Sequence, residues 1–296
     1  MGGRWRWRAS PVWAARSPSC CRSPARSSPR RHPLDSPDLV WRACKMQRGD
    51  FGTLQELAQY IVQLERGYTE KIFHALYKNA GNIQAWYNEP NKVPKTWAGK
   101  MIIRPGEPSP WEQVGEIVIV GVINREFPEW FPVGLPIGSE TRLSSPDAVI
   151  HIDVKTHKEG DTDLDRTQDV RPEQISSDED ENYLQDARGL LGDSPPKLPP
   201  YYEFGPNLLK ITISAFVICV YEVNEAEGYQ YLTRMQLFTV PNGILRTVHD
   251  YTDIFQAGKD GRQGHRYRIN LPALANHEVW RWREIRYKEY GFEVTK

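Results

Sequence analysis

Gly-Leu-Pro-Ile-Gly-Ser-Glu-Thr-Arg-Leu-Ser-Ser-Pro-Asp-Ala-Val-Ile-His-Ile-Asp-Val-Lys-Thr, residues 134–156, contains the one set of carboxylates and lysine in this chain that is spaced for a shared site. Between residues 148 and 156, apolar and polar side chains alternate, which predicts a half-buried strand. Asp153 and Lys155 are two positions apart and therefore lie on the same face of that strand. The strand thus presents an acidic and a basic group side by side.

The four residues before this strand, Ser-Ser-Pro-Asp at 144–147, are typical of a tight turn. Proline fixes one φ angle there, and aspartate can bond its own backbone. The chain is therefore predicted to form a hairpin whose other arm is residues 138–143. Antiparallel pairing across that turn places Glu140 opposite Asp153, and such cross-strand neighbours lie about 5 Å apart.

Two facing carboxylates with a lysine beside them have the composition of a magnesium site. Mg²⁺ is usually held by one or two carboxylates together with waters and phosphate oxygens. It would activate a water and neutralise charge on a scissile phosphate, while Lys155 would stabilise the negative charge of the transition state. Asp147 is the alternative second ligand if the strand starts later, although six extended residues separate it from Asp153 by roughly 20 Å. A plain solvated hairpin is the other interpretation, because Asp-x-Lys alone is common.

A resemblance that extends far beyond this triplet favours the metal site. The chain resembles the BglI type II restriction endonuclease family, with matching blocks in the family's order between about Pro110 and Leu271. The blocks are Pro-Trp-Glu-Gln-Val-Gly-Glu (110–116), Gly-Leu-Pro-Ile-Gly (134–138), Ile-Asp-Val-Lys (152–155), Arg-Pro-Glu-Gln-Ile-Ser (171–176), Pro-Pro-Tyr-Tyr (199–202), Val-Pro-Asn-Gly (240–243) and Gly-Lys-Asp (258–260).

This resemblance implies an α/β restriction-endonuclease-like fold, with a mixed sheet of five or six strands flanked by helices. The family's catalytic pattern, an acid soon after Gly-Leu-Pro-x-Gly and then Asp-x-Lys, matches Glu140, Asp153 and Lys155. Many PD-(D/E)xK nucleases also carry a glutamate on a helix beneath the site as an auxiliary metal ligand. Glu116 matches that position, on a helix predicted from residue 109 to about residue 124.

The activity implied by the resemblance is Mg²⁺-dependent hydrolysis of double-stranded DNA. A homodimer would cut both strands of an interrupted, G/C-rich palindrome, since two-fold symmetry in the protein calls for the same symmetry in its site. A structure-selective repair or junction nuclease with the same metal site is one alternative. A catalytically inactive DNA-binding protein is another, disfavoured because Glu140, Asp153 and Lys155 are all present.

The basic stretch 258–268 is the candidate for DNA recognition. Arg266 and Arg268 lie two apart on a predicted strand, and arginines can bond guanine O6 and N7 bidentately, each worth about 1–3 kcal/mol of discrimination. Contact with phosphates is the alternative from the residues alone. The resemblance matches Lys259, Arg266 and Arg268 to base-reading positions, and Asp260 is the substitute for a base-reading acid that the chain lacks at the expected place.

Length and composition favour one large domain at 46–296. The 296 residues are 39% hydrophobic, which is enough for a sizeable core. No apolar run approaches the eighteen or so residues of a membrane span, so no membrane partner is expected. Three of the four cysteines precede residue 46, and no disulfide framework is implied. We expect a reducing compartment, the cytoplasm of a prokaryote.

Residues 1–45 differ from the rest of the chain. They carry nine Arg and one Lys against two Asp, with many Ser and Pro, which predicts disorder. A transit peptide or a DNA-binding arm would have a similar composition. The interpretation favoured here is that Met46 is the true start. Without this extension, 28 basic and 36 acidic residues remain, so DNA affinity would depend on a local basic face.

The remaining elements are predicted from periodicity, capping and composition. They are a helix at 53–79 with a Thr53–Glu56 capping box and a kink at Gly67, a loop at 83–108, a solvated acidic insertion at 159–186, two central strands at 211–223 and 229–240, and a closing helix or partner surface at 278–290. Within the insertion, residues 171–176 fall in one of the resembling blocks, and the resemblance implies that a helix starts there near the site.

Overall fold

The computed structural model describes residues 51–89, 111–134, 139–161, 165–177, 196–204, 208–224, 229–257, 266–288 and 291–295. The extension predicted for residues 1–45 and the start at Met46 lie outside the described residues. So do Lys259 and Asp260, together with the predicted loop from residue 90 onwards.

The first long helix, α1 (Leu54–Lys78), begins where the capping signal predicted. The Thr53 hydroxyl accepts a hydrogen bond from the Glu56 backbone, and the Glu56 carboxylate accepts one from the Thr53 backbone. The helix continues through Gly67 to its predicted end. Its apolar stripe belongs to the core, with at most 4% exposure at Ile61, Tyr68, Ile72 and Leu76.

Two further helices flank the sheet on the same side. Helix α2 (Ala80–Asn88) occupies the first part of the predicted loop, so that prediction is wrong for 83–88. Ile83 and Tyr87 are both fully buried, and this burial outweighs the loop-like composition around them. Helix α3 (Trp111–Glu126) confirms the second predicted helix. In the described part of the chain, no helix has the length and apolar character that a membrane span requires.

The described strands form two sheets. In chain order they are β1 (Phe131–Pro132), β2 (Thr141–Ser144), β3 (Ala148–Lys158), β4 (Thr167–Val170), β5 (Tyr201–Glu203), β6 (Leu209–Asn224), β7 (Tyr229–Val240), β8 (Phe255–Ala257), β9 (Tyr267–Asn270), β10 (Trp282–Lys288) and β11 (Gly291–Thr295). The larger sheet has the order β1-β2-β3-β6-β7-β10-β11, and β5 also pairs with β6. Only β3 and β6 pair in parallel there, so the sheet is mixed as predicted.

This sheet has eight strands in the described residues, rather than the five or six predicted. The two predicted central strands are confirmed as β6 and β7, but the described residues 278–288 of the predicted closing helix do not form one. A 3-10 turn at Val279–Arg281 leads instead into β10, which pairs with β7 on one side and β11 on the other. The strand was not predicted because its residues alternate in charge and only Glu284 and Ile285 of β10 are buried, so the apolar pattern of a strand is missing.

The catalytic candidate strand β3 is buried on both faces from residue 148 to residue 154, not half-buried as predicted. Side chains of successive residues point to opposite faces. Ile150 and Ile152 join one hydrophobic cluster with α1, α2 and α3. The opposite face, which carries Asp153, is covered by the elements of a second cluster, including β9.

A smaller antiparallel sheet has the order β4-β9-β8. Its strand β4 lies in the segment predicted to be a solvated acidic insertion, so that prediction is wrong for 167–170. The 3-10 turn Pro172–Gln174 lies within 171–176, where the start of a helix near the site was predicted, and it is a single 3-10 turn. Val170 and Gln174 are at most 4% exposed, which explains why this part of the segment is ordered against the core. Two short helices, α4 (Gly243–Val248) and α5 (Leu271–His277), complete the described elements.

A buried ion pair joins the two ends of the described chain. Glu65 of α1 and Arg281 of the C-terminal 3-10 turn both have side chains that are 0% exposed, and Arg281 Nη2 lies 2.7 Å from Glu65 Oε2. Glu278 accepts a bond from Arg281 Nε at 2.5 Å, and Glu65 Oε1 accepts one from the Asn242 backbone at 2.7 Å. These bonds satisfy charges that would be costly to bury alone.

Candidate active site and neighbouring arginines

The β2–β3 hairpin has the predicted register. The Ser145 backbone donates to the Ala148 carbonyl at 2.9 Å, which closes the turn, and Thr141 pairs with Ile152. The Glu140 backbone then donates to the Ile152 carbonyl at 3.0 Å. Glu140 and Asp153 are therefore next in register, and the hairpin brings the two carboxylates together.

The carboxylate of Glu140 lies in a strongly acidic environment. Its Oε2 accepts a hydrogen bond from the Val154 backbone at 3.1 Å. Burial raises the pKa of Glu140 to about 8, assisted by the charge of Asp153 and a hydrogen bond with that side chain. The raised pKa reflects two carboxylates buried together, a setting in which a bound cation would balance their charge.

Both oxygens of Asp153, which is 5% exposed, are held by neighbours. The Gln174 side chain donates to Oδ1 at 2.7 Å, and the Lys155 ammonium lies 2.8 Å from Oδ2. Gln174 is itself fixed, because its Oε1 accepts a bond from the Arg171 backbone at 2.7 Å. The orientation of the Asp153 carboxylate thus depends on a residue of the 3-10 turn.

Gln174 is a residue of the candidate site that the sequence did not single out. Residues 171–176 were predicted to start a helix near the site. The amino-acid sequence did not indicate which of their side chains faces Asp153. The signal is the capping geometry of the turn, in which the Gln174 side chain bonds the backbone of Arg171.

Glu116 lies near the pair, on the first half of α3. Its charge is one of the causes that raise the pKa of Glu140. The preceding residue, Gly115, allows the helix to approach β3 closely, since a Cβ there would meet Thr156 Oγ1 at 3.2 Å. The helix therefore brings the charge of Glu116 within electrostatic reach of the pair, but in the described residues Glu116 does not complete a group of three metal-binding side chains with it.

Asp147, considered above as a fallback metal ligand, lies outside this cluster. Its carboxylate accepts hydrogen bonds from the Tyr68 and Ser145 hydroxyls, at the turn end of the hairpin. The six extended residues between it and Asp153 span roughly 20 Å, which is too far for a shared cation. Its role in the described structure is to anchor the turn to α1.

Arg266 and Arg268 share the outer face of the smaller sheet, as predicted. Tyr267 and Ile269 alternate with them and are fully buried, whereas the side chains of Arg266 and Arg268 are 34% and 29% exposed. The predicted partners Lys259 and Asp260 lie outside the described residues. The arginines are therefore presented together on an accessible surface.

The restriction endonuclease BglI family model matches residues 44–285, which is most of the chain. The chain belongs to this family. By family it is a type II site-specific endonuclease, and the family implies a divalent metal cation. No curated protein matches this BglI-family chain.

Two solved structures share the fold of this BglI-family endonuclease. BglI bound to its DNA recognition sequence gives a TM-score of 0.60 at 20% identity, over 79% of this chain and 94% of BglI. Tetrameric SfiI bound to cognate DNA gives 0.58 at 15% identity, over 84% of this chain and 97% of SfiI. At these identities the likeness shows the fold alone, and it confirms the restriction-endonuclease-like α/β fold predicted from the sequence.

The donor set of the BglI-family chain fits a hard divalent cation. Among the described residues, no group of three or more His, Cys, Asp or Glu side chains is close enough to enclose a metal. The protein would thus supply the two carboxylates of Glu140 and Asp153. Such a sparse oxygen set suits Mg²⁺, which keeps waters and takes substrate phosphate oxygens for its remaining positions.

Replacing Gln174 with alanine is expected to slow cleavage by this BglI-family enzyme about 10- to 100-fold, because Asp153 Oδ1 loses the donor that orients it. Initial rates at saturating DNA, together with an unfolding curve, measure the effect. Gln55→Ala, at an exposed position on α1, is the matched control and should keep the original rate. A Gln174→Ala enzyme with an unchanged maximal rate would show that Asp153 does not need this support.

Proposed function

We propose that this chain hydrolyses double-stranded DNA at an interrupted, G/C-rich palindrome, with Mg²⁺ as the metal and a homodimer as the active form. Residues 46–296 would act as one catalytic and DNA-binding domain, in the cytoplasm of a prokaryote as for other restriction enzymes. The observation that carries this proposal is the cluster of Glu140, Asp153 and Lys155, in which both oxygens of Asp153 are held.

Each side chain of the cluster has a distinct task in this reaction. Mg²⁺, when bound by Glu140 and Asp153, supplies positive charge that acidifies a water and polarises the scissile phosphate. Lys155, held against Asp153, donates to the phosphate oxygens as they gather negative charge. Glu116 adds negative charge beside the pair and so favours cation binding.

The bond changes follow from in-line attack. The oxygen of the attacking water bonds to phosphorus and releases a proton to solvent, and the bond from phosphorus to the 3′ oxygen breaks. The electron pair leaves on that oxygen, which takes up a proton from solvent. The products are a 5′-phosphate and a 3′-hydroxyl.

Base recognition is proposed for the partly exposed Arg266 and Arg268, with Lys259 and Asp260 as further candidates. Arg266 and Arg268 can donate bidentately to guanine in the major groove. A two-fold dimer would place two copies of this surface on two half-sites, so that the recognition sequence is palindromic. The proposed G/C content follows from the guanine preference of arginine.

The test is to incubate the full chain with phage DNA and Mg²⁺ and to sequence the ends of the products. Discrete fragments whose ends share one interrupted palindrome would support the proposal, as would a dimer mass by analytical ultracentrifugation. A smear, or cutting of branched DNA only, would favour a repair or junction nuclease. Binding without cleavage would favour a catalytically inactive DNA-binding protein.

A further inference from the structure

A carboxylate lies directly beside the two partly exposed arginines of the smaller sheet, Arg266 and Arg268. Asp169 on β4 is the register partner of Arg268 on β9. Its oxygens lie 3.6 Å from Arg268 Nε and 3.8 Å from Arg266 Nη1. One carboxylate therefore faces both guanidinium groups.

The arginine pair needs such a neighbour to stay in place. Arg266 and Arg268 are two residues apart on the same face, so their Cα atoms are separated by roughly 7 Å. Their two positive charges repel each other at this spacing. Asp169 offsets one of the two positive charges and attracts both groups toward the same strand.

Asp169 contributes little to the stability of the fold. The Asp169 side chain is 38% exposed, and ion pairs at such positions add little to stability. The neighbouring residues of β4 hold the strand instead, since Gln168 and Val170 are at most 2% exposed. Asp169 is thus placed to act on the arginines rather than on the fold.

The carboxylate also favours bases over phosphates as ligands of the arginines. Phosphate contacts are strong but carry no sequence information, and unrestrained arginines form them readily. A carboxylate between the arginines repels phosphate, whereas the uncharged edge of a base pair meets no such repulsion. Prearranged donors also lose less side-chain entropy when they bind a base edge.

We propose that Asp169 is a specificity-determining positioning residue, which holds Arg266 and Arg268 side by side for base recognition and disfavours their use on phosphates. This inference rests on the proposed function, because it assumes that the arginines read the DNA sequence. It adds a residue that acts through the arginines and does not itself contact the scissile phosphate.

The experiment compares the full chain with Asp169→Asn on a duplex that carries the cleaved sequence and on duplexes with one base pair of it replaced. For Asp169→Asn, the ratio of cleavage rates between the two kinds of duplex is expected to fall at least about tenfold, the order of one bidentate base contact. Affinity for the replaced duplexes should rise, with a steeper dependence on salt. The unfolding midpoint should not change.

Two further variants separate geometry from net charge. Glu70→Gln removes one negative charge from another arginine–carboxylate pair, with Arg66 on α1, and should keep the original ratio. Asp169→Glu keeps the charge and should retain part of the discrimination. An Asp169→Asn ratio equal to that of the unsubstituted chain would overturn this inference alone. Absence of site-specific cleavage by the unsubstituted chain would overturn the proposed function and this inference with it.

Discussion

Replacing Asp153 with asparagine is expected to lower the cleavage rate by at least about 10³-fold, because the substitution removes the charge of a proposed metal ligand, worth several kcal/mol of transition-state stabilisation. Asparagine has nearly the same shape and can still accept the bond from Gln174. The free energy of unfolding should therefore not fall, because the substitution removes the charge repulsion between Asp153 and the neighbouring Glu140. Initial rates with Mg²⁺ measure the first effect and urea unfolding the second, and calorimetric titration measures the accompanying loss of Mg²⁺ affinity.

Asp147→Asn is the matched control for this prediction. It makes the same chemical change in the same hairpin, at a carboxylate that bonds Tyr68 and Ser145 rather than the site. We expect it to keep the Mg²⁺ affinity of the folded protein, even if it weakens the turn. Loss of Mg²⁺ binding in Asp147→Asn together with its retention in Asp153→Asn would show that the ligands have been assigned to the wrong end of the hairpin.

Replacing Arg281 with methionine is expected to lower the free energy of unfolding by about 3–5 kcal/mol. The substitution leaves the Glu65 carboxylate fully buried without its ion-pair partner. Urea unfolding monitored by tryptophan fluorescence gives the difference. Arg66→Met is the control, because Arg66 pairs with Glu70 on the surface of α1 with 61% exposure, and such pairs contribute at most about 1 kcal/mol.

A double variant distinguishes the loss of the ion pair from the loss of packing. Glu65→Met combined with Arg281→Met removes both buried charges and should recover much of the stability lost in Arg281→Met. The loss of unfolding free energy in the double variant is compared with the summed losses of Glu65→Met and Arg281→Met. A loss equal to that sum or larger would show that the packing of the Arg281 side chain, rather than its charge, dominates.

The hairpin was predictable from sequence because its information is local. A turn of Ser-Ser-Pro-Asp fixes the pairing, and once residues 145 and 148 close the turn, Glu140 must fall opposite Asp153. The same holds for Arg266 and Arg268, whose shared face follows from the two-residue period of a strand. The capping box of Thr53 and Glu56 likewise fixed the start of α1.

Features that depend on distant partners were not predictable in this way. β10 alternates charged residues and resembles a surface helix, and only its pairing between β7 and β11 makes it a strand. The support of Asp153 by Gln174 joins residues 21 positions apart across a turn that composition placed in a solvated insertion. The burial of Ile83 and Tyr87, which converts a predicted loop into α2, also requires the assembled core.

Residues 167–174 face the arginines on one side and the catalytic strand on the other. Asp169 faces Arg268, whereas the preceding residue, Gln168, points the other way and hydrogen-bonds to His157 of β3. The 3-10 turn that follows brings the Gln174 side chain to Asp153. In a chimeric enzyme, β9 with its proposed DNA-reading arginines therefore cannot be exchanged independently of the residues that contact it. A graft of β9 from a relative should carry that relative's residues 167–174 with it, and the cleavage rate of a graft without them would report the mismatch.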